Sequence, residues 1–555
     1  MNLSAPLSLF LIIVATIAVI ALLIFLIVFL VKPSAGRDSF RLAIPLNLQA
    51  RKKKKHHVFL GLSEHSKLMA AQILQEWKQE KNKKNHGQII IVDLAPAFSK
   101  TAERRLQEEL GSTQVTVLSS TPAKPDEKSL AAAIGLDGLQ PWLANPHTHL
   151  YLFSEQKPEN ALLLSLAASD DSIQAKVFYY SPEPGGVEAL VAATGARVRM
   201  LNPHQMAFMQ LKLNCPQLMP VHYVQKAENA DGMPLGYVEE GLHALVIGFG
   251  NTGQEAVRFL YEYGSFVGKN YLCAPMSVSV YDPDLENMLG AFLQSAPALK
   301  GDPAFHWHAE RAGSVPFWDA FAEDPHVHYI IIAMDEGPRN IEMGVALLKE
   351  AARSGRNLSK MAILIRNWKD NWKTGEILDF YNTAYCPEGI KVLHSFGNTR
   401  DIWNSDVISG RKLKKTARLF YENLAALGTN ESWEERKERL SKPGPDQLKN
   451  QMELRRRQAM DISRAIYAPT LLAFVPEGEP DASLMQYLLA QEHLHWMNAL
   501  AVTGYCNGPL DELLQRHPNM VPYPEIKSYK TRDIGLLAVK SMLKLRSEHG
   551  IPGGQ

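Results

Sequence analysis

The sequence predicts an α/β protein: two parallel-sheet units in tandem, one transmembrane helix before them and a small, mainly α-helical domain after them. Three observations predict it. An uncharged apolar run extends from Leu9 to Val31. From His57 onward, two series of short apolar stretches alternate with amphipathic helical patterns. After Gly410 the texture changes, and charged helical patterns replace the strands. At 555 residues the chain is too long for one core, so about three or four domains are expected.

The apolar run sets the topology. Leu9–Val31 holds no charge, and Thr16 is its only polar side chain. At about 1.5 Å per residue it spans roughly 34 Å, enough for a hydrocarbon core of about 30 Å. A cleaved signal peptide would need a basic start, a shorter apolar stretch and a small-residue cleavage site. Here no charge precedes Lys32, and the run is too long. Lys32, Arg37, Arg41 and the cluster Arg51–Lys55 follow the helix, which keeps the C-terminal side in the cytoplasm and the N-terminus outside. The expected place is therefore the inner (plasma) membrane, crossed once, with the lipid bilayer as a partner. The basic cluster either holds anionic headgroups, at about 1 kcal/mol per residue, or is a solvated linker that fixes topology. No second such stretch follows, so a monomer forms no channel.

Composition excludes several classes. Lys+Arg number 59 against 58 Asp+Glu, so the surface is not globally basic and no nucleic-acid partner is expected. Cys215, Cys273, Cys386 and Cys506 lie far apart with no Cys-x-x-Cys pair, which argues against a disulfide scaffold, a zinc ribbon or a dithiol centre.

The first strand series is Val58–Leu60, Gln88–Asp93, Val115–Leu118, His149–Phe153, Lys176–Tyr180 and Arg197–Leu201. The second begins near His243 and comprises ALVIGFG, SVSVYD, HYIIIAMD, MAILIR and IKVLHSF. Both resemble Rossmann-type sheets. The expected domains are a transmembrane anchor (1–32), a basic juxtamembrane linker (33–56), a degenerate Rossmann-like domain (57–226) and a nucleotide-binding Rossmann domain (242–410). A helical linker (411–450) and a helical domain (451–545) complete the chain, with Ala227–Gly241 joining the two sheets.

The sharpest motif is Gly248-Phe-Gly250-Asn251-Thr252-Gly253, ending an apolar strand and opening an amphipathic helix. Gly248 permits the tight turn, Gly250 lets the backbone approach a phosphate, and Gly253 lets helix and strand pack closely. The helix N-terminus offers unpaired N–H groups and a positive dipole end. Asp282, ending SVSVYD, suits an adenosine ribose, provided that residues 265–275 are an insertion before that strand. Asp335, Glu336, Arg339, Arg366 and Asn367 end later strands; Arg339 either meets a phosphate or pairs with Asp335 or Glu336. The expected cofactor is NAD(H) or another adenine nucleotide, unless the scaffold has kept its turn and lost its ligand.

The first unit reads Gly61-Leu-Ser63-Glu64-His65-Ser66 at the equivalent turn, keeping one glycine and placing Glu64 where it would repel a pyrophosphate. A structural or dimerising role is expected there, although Asp93 still ends its second strand. No catalytic constellation is found. The pairs His147/His149, His306/His308 and His326/His328 put two imidazoles on one strand face, but none has a clear third ligand, and no metal is expected.

On Gly248–Gly253 and Asp282, the tandem units resemble the nucleotide-binding regulatory domains of potassium transport systems, the Trk/Ktr or RCK N-lobe type. That resemblance implies a nucleotide sensor that moves a membrane partner, in a homo-oligomer, without hydride transfer. The tail, with Glu492-His493-Leu-His495-Trp496, Tyr505, His517-Pro518 to Val521-Pro522 and Asp533, is similar to the RyR domain, the small repeat named after ryanodine receptors and found in bacteria behind Trk-type domains. His495 and Tyr505 depart from the residues common there. This second resemblance implies a ligand pocket using Glu492, His493, Trp496, Tyr505, His517 and Asp533. Trp496 and Tyr505 would stack on a base, with Glu492 and His493 reading its edge; the other reading makes Glu492, His493 and Trp496 helix-packing residues.

The expected function is a membrane-anchored cytoplasmic sensor of a nucleotide or nucleotide-derived messenger, acting in potassium transport or in a bacterial stress or defence response, and not an enzyme. The alternative is a membrane-tethered NAD(P)-dependent oxidoreductase with His493 or His517 as proton donor.

Overall fold

The computed structural model describes residues 54–79, 86–93, 100–112, 114–119, 130, 134, 136–153, 163–167, 170, 172–181, 198–335, 337–368, 372–424, 432–441, 446–476 and 478–549. The apolar run Leu9–Val31 and most of the basic linker lie outside the described residues. Among the described residues, no helix is long and apolar enough to cross a membrane. Contacts divide the chain into two units, 1–179 with 197–199, and 180–196 with 200–555.

The first sheet has six strands: β1 (Lys55–Leu60), β2 (His86–Asp93), β3 (Val115–Ser119), β4 (Thr148–Leu152), β5 (Lys176–Tyr180) and β6 (Val198–Leu201). Their spatial order is β3-β2-β1-β4-β5-β6. The β1 residues Val58, Phe59 and Leu60 are wholly buried, as a central strand covered on both faces requires. Helix α1 (Glu64–Gln79) follows β1 and buries Met69, Ala70, Ile73, Leu74 and Trp77, one stripe at helical spacing; α2 (Lys100–Leu110) links β2 to β3.

Helix α3 (Pro203–Asn214) leads to a hairpin of β7 (Lys226–Glu228) and β8 (Pro234–Val238), where the sequence suggested only a connection. The second sheet comprises β9 (His243–Ile247), β10 (Ser277–Tyr281), β11 (Phe305–His308), β12 (Tyr329–Ile332), β13 (Ala362–Arg366) and β14 (Leu393–Phe396). Its order, β11-β10-β9-β12-β13-β14, repeats that of the first sheet, and its neighbouring strands are parallel. Both sheets therefore have the doubly wound Rossmann order, with the crevice between strands one and four of each. The expected strand series lacks β11: Phe-His-Trp-His enters only as a histidine pair on a strand face, and it is an edge strand on which His308 stacks flat against Tyr281 at 4.2 Å. Helices α4 (Asn251–Tyr263), α5 (Leu285–Ser295), α6 (Val315–Glu323), α7 (Gly337–Arg353) and α8 (Trp372–Tyr385) flank this sheet.

The C-terminal region is helical: α9 (Arg411–Leu424), α10 (Trp433–Ser441), α11 (Gln447–Leu472), α12 (Ala482–Ala501) and α13 (Tyr529–His549). The stretch 411–450, expected as a linker, is part of this body. Arg436 of α10 makes a buried 2.6 Å ion pair with Asp461 of α11, and the boundary expected at 450 falls inside α11.

The suspected insertion is a docking element. Ser265 to Cys273 folds back through a Val267–Cys273 bridge and meets α12. Gln491, wholly buried, accepts from the Val267 N–H at 2.8 Å and donates to the Ser265 carbonyl and the Tyr467 hydroxyl. Tyr487 donates to the Lys269 carbonyl at 2.9 Å. A buried backbone N–H left without an acceptor costs about 1–3 kcal/mol. Gln491→Ala is therefore expected to lower unfolding stability by about that amount, measured by urea denaturation; an unchanged midpoint would show that water or a neighbour replaces the amide.

Candidate functional site

Two places in the second unit are candidate ligand sites. The first is the turn between β9 and α4, on the carboxyl side of the sheet. Gly248 has φ +91°, and a Cβ there would come within 2.8 Å of the Ala333 carbonyl oxygen. At Gly253 a Cβ would lie 1.9 Å from the Gly248 oxygen. These two glycines are demanded by the protein's own packing. Gly250 is different: the nearest atom to a Cβ there is Asp335 Oδ1 at 3.9 Å. It caps α4 and, as a glycine, places no side chain at the helix start, where the positive end of the helix dipole lies. Asn251 begins the helix, and the Thr252 hydroxyl is turned away, 2.7 Å from Nδ1 of His204 on α3.

Asp282 sits beside this turn. Its Oδ2 accepts from the Phe249 N–H at 2.6 Å and its Oδ1 from the Asp284 N–H at 2.8 Å. A carboxylate has about four acceptor positions, so it can tie the turn and still receive hydroxyls. Arg339 lies exposed in the first turn of α7. Behind it, Asn340 is wholly buried and ties the Met334 N–H and carbonyl to the Arg366 carbonyl, a strand-end staple that no motif announced. Arg366 is also buried, stacked on Trp368 at 3.8 Å, and burial pushes its pKa down to about 9. Asn367 bonds to Thr374.

The first unit shows what a closed turn looks like. Ser63 Oγ accepts from the Ser66 N–H at 3.2 Å, and Glu64 pairs with Lys67 at 2.8 Å. Its helix start is filled by its own side chains, whereas Gly250 places none at the start of α4.

The second place is a cavity of about 320 Å³ in the C-terminal region, at the lower end of the volumes of small-molecule sites. Glu492, His493, Trp496 and His517 line it. Tyr505 and Asp533 are not among its lining residues: Tyr505 is buried and donates to Glu512 at 2.7 Å, and Asp533 is exposed. His495, one residue before Trp496, is on the opposite side of α12, stacked on Tyr467 at 3.7 Å.

The sequence reading missed the arginines. Arg436, Arg456, Arg457 and Arg464 all line the cavity. Arg456 grips Glu512 through Nε and Nη2, and Arg464 Nε donates to Glu492 at 2.8 Å. Arg457 pairs with Glu453, one turn earlier on α11. A spacing of i, i+1 and i+8 along α11 was the available signal, but in a charged helix it reads as a solvated face. Trp496 stacks beside His493 at 5.4 Å and meets His517 edge-on at 5.0 Å. His493 Nε2 donates to the Val521 carbonyl at 2.8 Å, and burial lowers its pKa. Burial, and then the Arg456 guanidinium, push His517 down to about 4. Both imidazoles are therefore neutral near pH 7, and the cavity's positive charge comes from arginine.

No family model matches the chain, and no curated protein matches it. Among solved structures it is similar to the crystal structure of a GsuK mutant, with 15% identity, a TM-score of 0.33, and coverage of 74% of this chain and 84% of that one. It is likewise similar to "GsuK Channel", with 14% identity, a TM-score of 0.34, and coverage of 74% and 85%. At such scores the fold assignment rests on the strand order, and function rests on the sites.

Gly253→Ala is expected to cost about 1–3 kcal/mol through overpacking, while Gly250→Ala leaves the thermal midpoint nearly unchanged; equal losses would mean that Gly250 is also demanded by packing. For His517 the folded pKa lies below the ordinary 6.5, so its contribution to stability is complete above about pH 6.5 and is lost as pH falls through about 4. His517→Gln should flatten that part of the curve of midpoint against pH. Superimposable curves would show that His517 does not titrate as its surroundings require.

Proposed function

We propose that this chain is a membrane-anchored, cytoplasm-facing regulator that binds a nucleotide or nucleotide-derived messenger in its C-terminal cavity and passes occupancy to the second Rossmann-type unit. The observation that carries this reading is the two-sidedness of α12. Glu492, His493 and Trp496 line the cavity. Gln491, His495 and Asn498, at i, i+4 and i+7, face the α/β unit. Asn498 donates to the Tyr261 carbonyl near the end of α4, the helix that begins at the glycine turn. On the same interface, Arg258 of α4 donates to the Val502 carbonyl at 2.7 Å.

A ligand shifts such a system only if it prefers one arrangement, each factor of ten supplying about 1.4 kcal/mol. The glycine turn before α4, with Asp282 beside it, supports a second site for an adenine nucleotide, NAD(H) among the candidates. The apolar run Leu9–Val31 supplies the anchor. The resemblances of the sequence support a homo-oligomer with a potassium transporter as membrane partner, or a bacterial stress or defence output. The oxidoreductase alternative loses its proton donors: His493 and His517 line the C-terminal cavity, whose walls include no residue of the glycine turn.

The test uses the full-length chain in detergent, titrated with a panel of nucleotides and followed by hydrogen exchange. Binding should slow or speed exchange within residues 251–263, and Trp496→Ala should weaken it at least about tenfold, as loss of a stacked base does. Binding that Trp496→Ala leaves intact, or that leaves exchange in α4 unaltered, would sink the proposal.

A further inference from the structure

The C-terminal cavity contains a reader for one kind of ligand edge. Glu492 is nearly wholly buried, and its Oε1 is occupied by Arg464. Its Oε2 receives no hydrogen bond from any described residue, although the side chain lines the cavity. That oxygen is open to the cavity and not sealed in the core, so water or a ligand donor can fill its acceptor position. The opposite wall is shaped to leave that position free. Gly535, in the interior of α13, lines the same cavity, and a Cβ added to it would lie 3.5 Å from Glu492 Oε2. Glycine in a helix interior costs about 0.8–1.0 kcal/mol relative to alanine. An alanine would be accommodated here in ordinary van der Waals contact, so protein packing does not require the glycine. What it preserves is room in front of the carboxylate oxygen.

The surroundings define what enters. Trp496 offers a ring face, and His493, donating through Nε2 to Val521, keeps Nδ1 as an acceptor. Arg464 spends only Nε on Glu492; its two terminal nitrogens have no acceptor among the described residues and belong to a residue lining the cavity. Arg457 adds a second guanidinium one face-repeat away on α11. Two acceptors beside a flat ring favour a base that presents N–H donors, and the guanidiniums favour its phosphate.

Resting on the reading of this cavity as a nucleotide site, we infer that its ligand is a purine nucleotide whose exocyclic amino group donates to Glu492 Oε2 through the gap left by Gly535. Its phosphate lies with Arg457 and Arg464. A site built around a buried acceptor rejects an analogue lacking the donor far more strongly than a hydrophobic slot rejects a missing methylene.

The experiment measures binding of four nucleotides of equal charge to the full-length chain in detergent: AMP against purine riboside monophosphate, and GMP against inosine monophosphate. Within each pair the members differ in one amino group. The expected result is at least a tenfold preference for the amino member of one pair, abolished by Gly535→Ala in a protein whose thermal midpoint is unchanged or raised. Equal affinity within both pairs, or a preference that survives Gly535→Ala, would overturn the inference while leaving the nucleotide site standing. Failure of all four to bind would overturn the reading of the cavity together with the inference.

Discussion

The second unit depends on one buried carboxylate. Glu262, near the end of α4, lies between the α/β body and the C-terminal helices. Lys212 of α3 is 3.4 Å from Oε2, Ser463 of α11 donates to Oε1 at 2.5 Å, and His495 of α12 lies 3.7 Å away. Burial alone would raise its pKa, but Lys212, His495 and Ser463 more than offset this and hold it at about 2. A buried charge is tolerated only when paired and hydrogen-bonded, and removing one partner of such a pair costs about 3–5 kcal/mol. Three helices therefore have to be in register for the ion to be satisfied. Hydrophobic contact would let α12 slide on α4; this ion does not.

That constraint explains why the two candidate sites are mechanically related. α4 begins at the glycine turn and carries Glu262 one residue before its end at Tyr263. α12 carries the cavity residues on one side and His495 on the other. Gln491 adds three directional bonds to the 265–273 segment and its surroundings, and Asn498 a fourth contact to α4. Displacement of α12 by a ligand must break or carry along these bonds. A fold that joins its domains through directional, buried polar contacts has few intermediate arrangements, which is the property that the proposed regulator would need.

How much of this was legible in the sequence varies with the range of the interaction. Buried parallel strands such as Tyr329–Ile332 and Ala362–Arg366 announce themselves as short apolar runs, and the glycine turn by its spacing, because both are local. The β11 strand did not, since Phe305–His308 alternates aromatic with imidazole and is only half covered at the sheet edge. The excess spacing before β10 pointed to an insertion, but its role depends on Gln491, more than 200 positions later. Arg456, Arg457 and Arg464 on α11 carry the same signal as solvent-facing arginines. What distinguishes them is enclosure by α12 and α13, and no window on the sequence contains all three helices.

The arginines also bear on the proposal that the cavity is a site and not a packing defect. An unfilled core gap is lined by apolar groups, whereas this wall carries guanidiniums, three of them (Arg436, Arg456 and Arg464) largely desolvated with their carboxylate partners. Arg436 takes Asp461, Arg456 takes Glu512 and Arg464 takes Glu492, with the carboxylates more than nine-tenths buried in all three pairs. Replacing three such pairs by apolar side chains of like volume would be neutral or stabilising in a domain that only had to fold. Their presence around one cavity, with a tryptophan and two neutral imidazoles, is what the proposed ligand, an anion with a flat ring, would require.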